Sequence, residues 1–85
     1  MKRLKVPFPL IEIHWDDAAT MVQGWEPAAE IRLDEQICVT VGFLVKETEQ
    51  HLMIASTVDM DGNTNGRFQI PRQMVRNQRV VRKAN

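Results

Sequence analysis

The residues of this chain whose types could do chemistry are two histidines, one cysteine, an adjacent acid pair and an Asp/Asn-rich loop. The loop Asp61-Gly62-Asn63-Thr64-Asn65-Gly66 reproduces the first six positions of an EF-hand ligand loop, D-x-N-x-N-G. The pattern then fails, because position twelve, which needs a bidentate Glu, is Arg72, and Pro71 precedes it. A solvated turn is the expectation. His14, His51 and Cys38 stand at unrelated spacings and fall short of the three or four ligands a zinc site needs. Cys38, flanked by Ile37 and Val39, suits a small packed side chain better than a nucleophile, since no base can be placed beside it. Asp16 and Asp17 would point apart on a strand, so a helix cap explains them better than an acid–base dyad. No glycine-rich phosphate loop occurs. No catalytic, metal or cofactor site is expected, and the chain reads as a non-enzyme. A hydrolase built on His14 or His51 would need a second titratable partner beside it.

Two other features could bind rather than react. Trp15 is in phase with Ile11 and Ile13 and is expected in the core. Trp25, in Gln23-Gly24-Trp25-Glu26-Pro27, suits equally a lid over the fold and an exposed stacking surface or interface anchor. The charge is segregated although it sums to zero: residues 1–5 and 67–85 hold nine of the eleven cations and no acid, and the stretch between holds all eleven acids. Arg72, Arg76, Arg79 and Arg82 are therefore candidate contacts to phosphate or to an acidic partner. The plainer expectation is that the two ends pair with the acidic middle, or that the cations guard an edge strand.

The elements that must position these residues are short. Leu10 to Trp15 alternates as a strand, with Pro7 and Pro9 where a missing amide is tolerated. Asp16 or Asp17 could cap a short helix over Ala18–Val22, ended by Gly24, and Pro27 suits the first turn of a second short piece over Pro27–Ile31. Ile37 to Lys46 is the clearest strand, with Ile37, Val39, Val41, Phe43 and Val45 on one face and Gly42 marking a bend. The turn Glu47-Thr48-Glu49-Gln50 leads to a returning strand, His51 to Val58. An exposed loop, residues 59–66, precedes a short strand, Phe68 to Ile70. One tight turn over Pro71–Met74 leads to a last strand, Val75 to Val81, on which Arg76, Gln78, Val80 and Arg82 share one face and Val75, Asn77, Arg79 and Val81 the other.

Eighty-five residues, 44% hydrophobic and 26% charged, make one small domain, 1–85, with 1–8 and 82–85 expected to be flexible. No apolar run is long enough to span a membrane. The basic start is not followed by a cleavage site, and one cysteine permits no internal disulfide, so a cytoplasmic setting is expected. Five short strands pair fully only if the sheet curls. The expected fold is thus mostly β, a small five-stranded curled sheet or barrel with short helical turns, similar to Src-homology-3-like and Sm-like architectures.

The run Val41–Asn63, the following Phe68-Gln69-Ile70-Pro71-Arg72-Gln73-Met74-Val75, and the upstream Ile13–Ala18 and Gly24-Trp25 resemble a group of small uncharacterised proteins encoded by phages and prophages. Gln78 departs from their pattern, where an apolar residue is expected. The resemblance carries no functional residue over. It implies a phage accessory protein acting by binding in the host cytoplasm, on a host or defence protein or on a small nucleotide signal. A homo-oligomer is expected separately, from the segregated charge, because one subunit's basic last strand can meet another's acidic middle. The alternative is an Sm-like nucleic-acid binder using the basic last strand.

Overall fold

The computed structural model describes residues 3–17, 24–32 and 35–85. Five strands, β1 (Leu10–Asp16), β2 (Ile37–Glu47), β3 (His51–Val58), β4 (Thr64–Pro71) and β5 (Val75–Arg82), form one antiparallel sheet in the order β4-β3-β2-β1-β5. Two single 3₁₀ turns complete it, Ala28–Glu30 after Pro27 and Arg72–Met74 after Pro71. In both, the proline fixes the φ that starts the turn. The helix expected over Ala18–Val22 lies outside the described residues.

The topology forces curvature. β4 and β5 are opposite edges, which a flat sheet would hold about 19 Å apart at ~4.8 Å per strand. Only Arg72–Met74 separates them in sequence, and three residues of 3₁₀ helix rise about 6 Å. The sheet therefore curls until the edges approach at this turn. Of the two expected forms the open curled sheet is the one found: among the described residues β4 and β5 are not paired, and no barrel closes.

The curl is made in β2. Its first half pairs with β1, from Ile37 opposite Asp16 to Phe43 opposite Leu10, and its second half pairs with β3, from Phe43 opposite Ala55 to Glu47 opposite Leu52. A register shift between Leu44 and Lys46 marks a bulge at Val45, which sharpens the bend. Gly42, at the corner, is buried, and a Cβ there would run into Ile54 Cγ2 and stand 3.0 Å from the Ala55 carbonyl oxygen. The two halves of the sheet can approach this closely because Gly42 has no side chain.

Between them lies the core of Ile11, Ile13, Leu52, Ile54 and Ile70, with Trp15, Leu44 and Val75 packed on it. Ile13, Leu52 and Ile70 are fully buried, worth about 1.5–3 kcal/mol each by the usual burial scale. Trp15 is half-buried, donates its indole N–H to Thr40 Oγ1 at 3.0 Å, and packs tilted against Phe68 with ring centroids 5.4 Å apart.

Two expectations about the later strands are corrected. β4 begins at Thr64, not Phe68, because Val58 and Thr57 pair with Thr64 and Asn65 and extend the hairpin through polar residues. The loop is only Asp59–Asn63, drawn together by the Asp59 carboxylate, which accepts the N–H groups of Asp61 (2.9 Å) and Asn63 (2.8 Å) and the Asn63 amide (3.0 Å). On β5 the strict two-residue alternation fails, because register shifts against β1 fall between Leu10 and Ile11 and between His14 and Trp15. Val75, Gln78 and Val80 are consequently the residues level with the inward Trp15, Ile13 and Ile11, while Asn77 and Arg79 lie level with the outward His14 and Glu12. The chain ends are tied together: the Asn85 N–H donates to the carbonyl of buried Val6 at 2.9 Å.

Gly42→Ala should cost about 1–3 kcal/mol, the usual range for overpacking a tight site. Urea denaturation would measure it, and a change within error of zero would mean the corner tolerates a side chain.

Candidate binding face

Cross-strand partners in an antiparallel sheet share a face. Ile11, Ile13 and Trp15 face the core, so their partners Gly42, Thr40 and Cys38 do too. The opposite face of the β2–β1–β5 half-sheet is a grid. Ile37, Val39, Val41 and Phe43 of β2 form one column. Asp16, His14, Glu12 and Leu10 of β1 form the next. Asn77 lies beyond His14, Arg79 beyond Glu12 and Arg82 beyond Leu10 on β5. The more apolar face of β2 is thus the outer one, with Ile37, Val39 and Val41 exposed at 40%, 56% and 53%. The apolar pattern of this column was plain in the sequence. Its direction was not, and Gly42 was the signal that could have given it, since the face bearing the corner glycine must turn inward.

The charged columns neutralise one another. Arg79 Nη2 donates to Glu12 Oε2 at 2.9 Å, and Glu12 Oε1 lies 2.7 Å from His14 Nε2. Arg76 bridges Asp16 (2.7 Å) and Glu35 (3.1 Å), and Arg72 donates to Glu47 (2.8 Å) and to the Thr48 carbonyl (2.7 Å). The expectation that the basic ends pair with the acidic middle describes these arginines well. Exposed bridges of this kind add little stability, but together they engage three of the four candidate binding arginines. Arg82 has no ion pair among the described residues.

The hydrogen bond with His14, and then that with Arg79, holds the Glu12 carboxyl below the ordinary Glu value of 4.5. Asp59 is likewise lowered, first by the Asn63 side chain and then by its backbone N–H, and Arg76 is raised by Asp16 and then Glu35. His14 therefore does have the titratable neighbour that catalysis would need. The cross-strand positions beside the pair, however, are Val39, Val41, Asn77 and Arg79, none of them a hydroxyl or thiol. Cys38 faces the other way. His51 borders a shallow depression of ≈ 330 Å³ with Gln50, Pro71 and Arg72.

No group of three or more His, Cys, Asp or Glu among the described residues is placed to hold a metal ion. In the Asp61–Gly66 pattern, Thr64, Asn65 and Gly66 belong to β4 rather than to a ligand loop. Trp25 stands out from the fold, fully exposed, so the lid alternative is set aside, and Ile31 beyond the Ala28–Glu30 turn is also exposed at 55%. Among the described residues no helix is long and apolar enough to cross a membrane.

No family model matches this chain, and neither a curated protein nor a solved structure shows significant similarity to it.

The Glu12 pairing fixes a pH dependence. A carboxyl whose folded value is lowered stabilises the fold above its unfolded value and loses that contribution as pH falls through the folded one. Glu12→Gln should therefore be less stable than the parent at neutral pH, with the gap closing as the pH drops below 4.5. Urea melts across that range would show it, and a pH-independent gap would mean that the carboxylate's ion pairs are not its source.

Proposed function

We propose that this chain is a non-catalytic accessory protein that acts by binding another protein, with Trp25 as the anchor. The observation that carries this reading is the complete exposure of Trp25 on the long β1–β2 connection. Tryptophan is among the residues that dominate binding energy when buried in a partner, and leaving it in water costs the fold the area it could have buried. The outward Ile37, Val39 and Val41 show that Trp25 is not an isolated case of apolar exposure on this molecule. In the phage setting implied by the sequence resemblance, the partner is a host or defence protein.

The nucleic-acid alternative is weaker. Arg72, Arg76 and Arg79 already satisfy carboxylates, and a phosphate would have to displace them. Arg82 remains, with no aromatic residue on β5 to stack a base. A nucleotide signal meets the same difficulty at the His51 depression, where Arg72 is bound to Glu47.

The test is affinity capture from host lysate with the wild-type chain and Trp25→Ala side by side, identified by mass spectrometry. Trp25 touches no core residue, so the variant should fold normally and lose its captured protein by tenfold or more, the scale of a hot-spot truncation of about 1.4 kcal/mol or larger. Equal capture by both would remove Trp25 as the anchor. Oligonucleotide binding that falls steeply with salt would move the function to the alternative.

A further inference from the structure

We infer that the open edge of β2, Ile37 to Val41, is the site at which a second copy of this chain pairs, strand to strand and antiparallel, about a two-fold axis at Val39. The inference stands apart from the Trp25 reading.

The edge is defined by backbone direction. The Leu44 N–H donates to the Pro9 carbonyl at 3.0 Å, and the Gln36 carbonyl accepts from Asp17 at 2.8 Å. The even-numbered residues of this stretch therefore aim their backbone groups at the β1 side. By alternation Ile37, Val39 and Val41 aim theirs the other way, where β3 pairing stops at Phe43. Among the described residues nothing pairs with them. The residues whose side chains are outward and apolar are thus also those whose N–H and C=O groups line the edge.

The other edges of the sheet are guarded and this one is not. β5 carries Arg76, Arg79 and Arg82, and β4 carries Arg67 with Asn65 and Gln69. Such residues keep an edge from pairing with another chain. The β2 edge reads Ile-Cys-Val-Thr-Val, with no charge, proline or bulge before Gly42.

A second copy fits because the edge is its own complement. With Val39 opposite its symmetry mate, Ile37 meets Val41 of the other copy on both sides of the axis, and about six backbone hydrogen bonds close, two for each hydrogen-bonded pair. Every side-chain pair on the outer face is then aliphatic. The charges also permit it. Asp16 and Glu12 are already matched by Arg76 and Arg79, and they would lie three strand spacings, about 14 Å, from the other copy's β1, beyond the ~8 Å reach of exposed charge at physiological salt. A strand pair this short covers less than the ~800 Å² per partner of a standard interface, so the association is weak and concentration-dependent.

Sedimentation equilibrium of the full chain over a wide concentration range should show a mass rising from 9.8 kDa toward twice that value, alike in low and high salt. Val39→Lys sets two like charges face to face at the axis and should weaken association at least tenfold with unchanged circular dichroism. Val39→Cys should form an intermolecular disulfide under mild oxidation, since hydrogen-bonded partners have Cα atoms ~5.5 Å apart. Val41→Cys, whose partner would be Ile37, should not. If Val39→Lys fails to fold, the cysteine pair decides the matter. A mass fixed at the monomer, a dimer unaffected by Val39→Lys, a dimer that dissolves in salt, or equal cross-linking of the two cysteine variants would each overturn the proposal.

Discussion

The contact of Gly42 with Ile54 and the Ala55 backbone is the constraint on which the rest depends. Two half-sheets can enclose a core in so short a chain only if one strand serves both and turns sharply between them. β2 does this, and the absence of a side chain at Gly42 lets its halves fold toward each other. Once that corner is set, the other choices follow. Gly42 must point inward, so Thr40 and Cys38 must as well, and Ile37, Val39 and Val41 must point out.

That outcome has an energetic side. The inward row of β2 up to the corner, Cys38, Thr40 and Gly42, is small, so the core is filled mainly from elsewhere, by Ile11 and Ile13 of β1, by Leu52 and Ile54 of β3 and by Ile70 of β4. Trp15 closes one end, and its indole N–H finds Thr40, a hydroxyl that would be costly in the core without such a partner. The aliphatic row left outside is surplus to the fold. Area of this kind is the usual mark of an interaction surface, although three side chains make a small one.

The charges tell a complementary story. A chain with cationic ends and an acidic middle looks from its composition like a polyanion binder. In the fold, β5 lies against β1 and Arg79 and Arg76 reach Glu12 and Asp16, while the Arg72–Met74 turn brings Arg72 to Glu47. Three of the nine cations at the two ends thus find carboxylates within the chain. Beside the charges, the surface carries exposed apolar groups, Trp25, Ile31, Ile37, Val39 and Val41 among them.

The sequence by itself determined four of the five strands, because alternation, turn chemistry and proline positions are local; the polar first half of β4 read as loop. Leu10–Trp15, Ile37–Lys46, His51–Val58 and the 3₁₀ turn after Pro71 were all legible to within a residue or so. It also marked Gly42 as a place for a bend or bulge. Three things were left to tertiary structure. The outward direction of the Ile37–Val41 row depended on which face met Ile54, a contact between residues distant in sequence. The faces of β5 depended on two register shifts against β1, which no pattern within β5 records. The bond from Arg79 to Glu12 and that from His14 to the same carboxylate depended on that register in turn. Alternation within a strand fixes which residues share a face, but only packing against another strand decides which face is buried.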